Sequence, residues 1–175
     1  MTTDASISPR DPVMFAYDGS ELAKLAIDEA GRQLTHGRDA LVLTVWHPFD
    51  VGFVPAGGVE FNAAEISDVR QAAEQTAADG ASLAQAAGFN ARGVAAEAAP
   101  TWKGIVEAAE EHLAGLIVLG SHGRSGLAGV LIGSVAEAVA AHSRRSVLII
   151  HQGGPHSRNG DHDPARQSSY RDSGS

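Results

Sequence analysis

Five short apolar stretches divide the chain, and four run without polar alternation: residues 13–17 (VMFAY), 41–45 (LVLTV), 116–119 (LIVL) and 147–150 (VLII). A continuous apolar run suits a strand buried on both faces, as in a parallel sheet covered by helices. Residues 91–98 alternate loosely, with Val94, Ala96 and Ala98 against Arg92 and Glu97, and predict another strand, third in chain order. The segments between are helical in pattern. Ser20 is placed as an N-cap for a helix to about His36, with Leu22, Ala26, Ala30 and Leu34 as its buried stripe and Gly37 as its stop. Residues 62–87, rich in Ala, Glu and Gln, predict a long helix ended by Gly88. Pro100 and Thr101 open a helix that runs to about Leu113 and is buried through Ile105, Ala108, Ala109 and Leu113. The last helix begins near Gly133 and Ser134, with Val135 and Val139 spaced for one face.

Strands alternating with helices predict an α/β fold, a single domain doubly wound about a five-stranded parallel sheet of flavodoxin or Rossmann type. The domain is expected to span residues 13–151 of the 175. Residues 1–12, polar with two prolines, read as a flexible arm. Residues 152–175, polar and rich in Gly and Pro without apolar period, read as a disordered tail. The stretch 46–61 carries Gly52, Pro55, Gly57 and Gly58 without periodicity, and is expected to be a mobile loop or a lid.

The chemistry concentrates after the fourth strand. Gly120, Gly123, Gly126, Gly129 and Gly133 fall in a serine-containing loop with one cation, Arg124, that hands over to a helix N-terminus. Unpaired N–H groups and the positive end of the helix dipole stabilise an anion there. Glycines let phosphate oxygens approach the backbone and permit φ > 0, and Ser134 can add a hydroxyl donor. The bland alternative is a merely flexible connection. After the first strand, Asp18 has two readings: a turn or capping aspartate, or a carboxylate accepting from ribose hydroxyls. Arg124 either pairs with a terminal phosphate or is solvated. His122 reads as a phosphate contact or as a loop residue, and Glu137 as a solvent-facing charge.

The spacing Gly120-x2-Gly123-x9-Gly133-Ser134 resembles the nucleotide-binding signature of the ATP-binding branch of the universal stress protein family. The neighbouring GSHGRSG start, the LIGSVAEAV helix and the final apolar strand are similar to that family too. The resemblance covers about residues 13–151. It implies strand order 3-2-1-4-5, which sets Asp18 across from Gly120 in one crevice. It implies nucleoside contacts from Ala16, Tyr17 and Asp18, with Ala16 acting through backbone, and packing or main-chain contact of Val45 at the adenine edge. It implies a phosphate cradle from Leu119, Gly120, Gly123, Arg124, Gly133, Ser134 and Val135. The implied ligand is ATP, with cyclic AMP as the alternative and Mg2+ as the nucleotide's counter-ion. Family members often carry aspartate before the fourth strand and proline before the last, where this chain has Gly115 and Arg145-Ser146.

Composition narrows the alternatives. Net charge is −8 with only Lys24 and Lys103 as lysines, against the basic patch that nucleic-acid binding requires. The chain has no cysteine, which excludes disulfides and thiol chemistry. His151, His156 and His162 lack metal-ligand spacing. No apolar run reaches membrane-spanning length and residues 1–12 lack a signal peptide's apolar core, so a soluble cytoplasmic protein is expected. A P-loop phosphotransferase needs G-x4-G-K-[ST], and neither lysine follows a glycine. A dehydrogenase needs G-x-G-x-x-G after the first strand, a phosphorelay receiver needs an aspartate ending the third, and an ATP-pyrophosphatase-type ligase needs a phosphate loop after the first; all three features are missing. The expected function is a nucleotide-binding stress-response regulator, with slow ATP hydrolysis at most, because no placed base or metal-binding carboxylate stands beside the loop. A homodimer is expected through the last strand, Val147, Leu148, Ile149 and Ile150, an apolar edge without proline.

Overall fold

The structure, a computed structural model, describes residues 11–47, 63–122 and 132–151. The elements follow in the order β1 (Val13–Ala16), α1 (Glu21–Gln33), β2 (Asp39–Trp46), α2 (Ala63–Ala86), β3 (Asn90–Glu97), α3 (Thr101–Glu111), β4 (Leu116–Gly120), α4 (Ser134–His142) and β5 (Ser146–Ile150). All strand pairings are parallel and the sheet order is β3-β2-β1-β4-β5. The fold is the α/β sheet with order 3-2-1-4-5 that the sequence implies.

Both faces of the sheet are covered. Alternate side chains of β1 go to opposite layers, as strand geometry requires. Val13, Phe15 and Tyr17 pack toward α1 and α2 with Ala23, Ile27, Ala81 and Ala84. Met14 packs toward α3 and α4 with Ile105, Ala109, Ala136 and Val139. Phe15 meets Phe89 edge to face, with ring centroids 5.2 Å apart. β1 lies between β2 and β4, so the chain reverses its direction of growth there, and the β1–β4 seam is the switch point.

Helix faces differ from the expected stripes. In α1 the buried residues are Ala23, Ala26, Ile27, Ala30 and Gly31, whereas Leu22 and Leu34 are only half-buried flanks. The reason is close approach: a Cβ at Gly31 would lie 2.8 Å from the carbonyl oxygen of Ala87, so small residues must face the seam with α2. Leu113 is not buried under α3; the helix ends at Glu111 and Leu113 is 68% exposed in a left-handed turn with φ 53°. In α4, Ala136 and Val139 are buried, while Val135 stays 36% exposed. Ala136 and Val139 are three residues apart on one face, which puts Val135 toward the mouth of the cleft described next.

The two departures from the family pattern have local causes. A Cβ at Gly115 would lie 2.6 Å from Cβ of Asp11, and the Gly115 N–H donates to the Pro12 carbonyl at 2.9 Å. Space that a side chain would need at 115 is taken by Asp11. At the start of β5, Nη2 of Arg145 reaches Glu110 Oε2 on α3 at 2.7 Å, and the Arg145 N–H donates to Ser143 Oγ at 2.9 Å. The expected arm 1–12 falls largely, and the loop 46–61 and tail 152–175 almost wholly or wholly, outside the described residues. Among the described residues no helix is long and apolar enough to cross a membrane.

Candidate functional site

A cleft of about 420 Å3 opens beyond the carboxyl ends of β1, β2 and β4, within the volume range of small-molecule sites. Nine of the sequence-predicted residues line it: Ala16, Tyr17, Asp18, Val45, Leu119, Gly120, Gly133, Ser134 and Val135. Gly123 and Arg124 lie outside the described residues. Residues that the pattern did not single out as contacts also line it, among them Ser20, Leu43, Thr101, Ile105 and Ser121, and so does His122, for which a phosphate contact is one of the two sequence readings. Thr101 opens α3, and a helix N-terminus after a strand was the available signal for it.

On the β1 side the turn is closed by its own groups. Gly19 has φ 82°, the conformation that lets the chain reverse directly from strand to helix. Asp18 Oδ1 accepts the Ser20 N–H at 3.0 Å, and Ser20 Oγ accepts the Ala23 N–H at 3.2 Å as the N-cap of α1. The turn reading of Asp18 is therefore realised, and the carboxylate also lines the cleft. Tyr17 offers less than expected. Its N–H donates to Leu43 O at 2.9 Å, its carbonyl accepts from Thr44 Oγ1 at 2.9 Å, and its ring is buried against α2, where a Cβ at Gly80 would come within 2.6 Å of it. Burial pushes the Tyr17 phenol up from its ordinary pKa, with Lys24 acting in the opposite sense.

The floor is apolar. Ala16, Leu43, Val45, Ile105 and Leu119 line it, and most belong to the packed layer beneath α3 and α4. Val45 lies close under α3, since a Cβ at Gly104 would be 3.3 Å from Val45 Cγ1. This side chain has a packing role whatever binds.

On the β4 side, two glycines serve close approach. A Cβ at Gly120 would sit 2.9 Å from Cβ of Leu22, so this glycine seats α1 against β4. Gly133 is the N-cap of α4 with φ −65° and ψ 153°, ordinary extended backbone, which corrects the expectation of a positive φ there. Its lack of a side chain matters because a Cβ would lie 2.9 Å from the Ser121 carbonyl oxygen. That carbonyl accepts the Gly133 N–H at 2.7 Å, and the Ser121 N–H donates to Ile150 O at 2.8 Å. Gly133 offers no side-chain oxygen to cap α4, and the first turn of this helix, Gly133 to Ala136, lines the cleft with no side-chain cap from its own N-cap residue among the described residues. Glu137, in the first turn, is exposed. Among the described residues no group of three or more His, Asp or Glu converges as a metal site.

Comparison with known proteins agrees with this architecture. The model of the universal stress protein family matches residues 9–151. A universal stress protein of Mycobacterium tuberculosis is 34% identical over 152 residues, covering 81% of this chain and 45% of that relative. The chain thus spans about half the length of the curated relatives it matches. A universal stress protein family member from Burkholderia pseudomallei superposes with TM-score 0.60 at 23% identity, covering 82% of this chain and 97% of that one. The universal stress protein of Archaeoglobus fulgidus in complex with dAMP gives TM-score 0.53 at 22% identity, with 82% and 99% covered. At these identities the two structures establish the shared fold.

Proposed function

The chain belongs to the universal stress protein family, and from that premise we propose that its cleft binds an adenine nucleotide, ATP before cyclic AMP, and that occupancy regulates a stress response. One observation carries the reading: the open N-terminus of α4 and an apolar floor share a single cleft at the switch point of the sheet. An adenosine needs apolar walls for the base and an acceptor for the ribose, which Ala16, Val45, Ile105 and Asp18 supply. A phosphate needs amides and a helix dipole, which Gly133, Ser134 and Val135 supply. Gly123 and Arg124 complete the phosphate cradle in this reading. Mg2+ enters with the phosphates as their counter-ion. In this reading the nucleotide acts as a bound signal, and hydrolysis is slow at most.

Titration calorimetry of the purified protein with ATP and with cyclic AMP tests this. Saturable binding with ATP the tighter ligand supports it, and absence of binding by either refutes it.

In the same reading the protein pairs through β5. The strand is an outer one, its Val147, Leu148 and Ile149 are only half-buried, and Arg145 is turned onto Glu110 of α3. Two copies meeting antiparallel about a two-fold axis would cover both edges. Light scattering is expected to give twice the 18.0 kDa chain mass, and a single species at the chain mass would end the dimer reading.

A further inference from the structure

Ser121 is only 2% exposed and is fixed at both main-chain ends, its N–H to Ile150 in β5 and its carbonyl to the Gly133 N–H. Its hydroxyl lies 3.1 Å from Nδ1 of His122. The imidazole is thus tied at one nitrogen to a residue locked between β5 and the α4 cap. Where the hydroxyl donates to Nδ1, the ring hydrogen sits on Nε2; the protonated ring carries one there as well. An anionic ligand selects those forms. The edge of the ring bearing Nε2 borders the α4 N-cap, because a Cβ at Gly133 would lie 3.7 Å from the adjoining Cδ2. Among the described residues lining the cleft, His122 is the one able to carry positive charge, and Asp18 is a carboxylate.

We propose that His122 donates through Nε2 to an anionic oxygen of the ligand held at the α4 N-terminus, with Ser121 as its positioning residue. This pair then sets how strongly the cleft prefers a phosphorylated nucleoside to the nucleoside alone. The proposal rests on the nucleotide reading above, and deepens it by naming the side chain that discriminates the phosphate.

The test is a ligand series, adenosine, AMP and ATP, titrated calorimetrically into wild type, His122→Ala, His122→Gln and Ser121→Ala. A hydrogen bond to a charged group predicts that His122→Ala weakens AMP and ATP by about tenfold or more. Adenosine affinity should be unchanged, which also reports that the variant is folded. His122→Gln, which keeps an N–H donor, should recover most of the loss. Ser121→Ala should show a smaller loss confined to AMP and ATP, a selectivity that a merely structural role would not produce. Equal affinity of His122→Ala and wild type for ATP, or an equal loss for adenosine and ATP, overturns the proposal and leaves the nucleotide reading standing. Wild-type protein that binds no member of the series overturns both.

Discussion

Two helices begin on the cleft on either side of the β1–β4 seam, and their first turns are closed differently. α1 follows its strand at once: Asp18, Gly19 and Ser20 make the turn, and Asp18 and Ser20 satisfy amides with their own side chains. α4 follows a long connection and starts at Gly133, whose backbone is bound to Ser121 but which has no side chain to place over the helix. A self-capped helix start has little left for a ligand, while a glycine-capped one leaves amides to be satisfied from outside. The difference assigns roles. In the proposed nucleotide reading the β1 side supplies a wall with a carboxylate, and the β4 side receives the anion.

The largest effect is expected from destroying the open side. Gly133→Val puts a branched side chain where a Cβ already lies 2.9 Å from the Ser121 carbonyl oxygen. It should abolish ATP binding in calorimetry and lower stability by about 1–3 kcal/mol through overpacking. Retained affinity in a folded variant would remove α4 from the site.

Asp18→Asn sharpens the contrast from the other wall. The amide oxygen can still accept the Ser20 N–H, so thermal stability should hold. Losing a charge-assisted acceptor for the ribose should weaken ATP by about 1–2 kcal/mol. Equal affinity would leave Asp18 as a turn residue alone.

Ser20→Ala gives the smallest effect on binding. Loss of the cap should cost about 1 kcal/mol of stability, read by chemical denaturation, while ATP affinity stays near wild type. A large loss of affinity without loss of stability would make Ser20 a ligand contact and blur the distinction between the two helix starts.

The strands were legible because burial on both faces writes continuous apolar runs, as at Val13–Ala16 and Leu116–Gly120. β3 was weaker to read because it is an edge strand with a half-exposed pattern. The helix faces were misplaced where the eye follows leucines. In α1 the sheet and α2 come so close that Ala26, Ala30 and Gly31 fill the contact and Leu22 and Leu34 flank it. Leu113 fell beyond the helix because the chain turns left-handed there to enter β4, a conformation that no apolar spacing announces. At the cleft, the strand-end and helix-start positions were readable as a set, since topology brings them together. The reasons for individual glycines were not. Gly120 and Gly133 look alike in sequence, yet one admits Leu22 and the other admits the Ser121 carbonyl, contacts between segments far apart in the chain. Ser121 was hidden for the same reason: His122 stood out as a candidate phosphate contact, but its tie to Ser121 depends on β5 and the α4 cap.

Amide chemical shifts of 15N-labelled protein, followed residue by residue as ATP is added, test the central claim most directly. The account predicts that the amides of Ser134, Val135 and Ala136 move strongly while those of Ser20, Ala23 and Lys24, already bonded within their own turn, move little. Large shifts at the start of α1 with none at the start of α4 would contradict it.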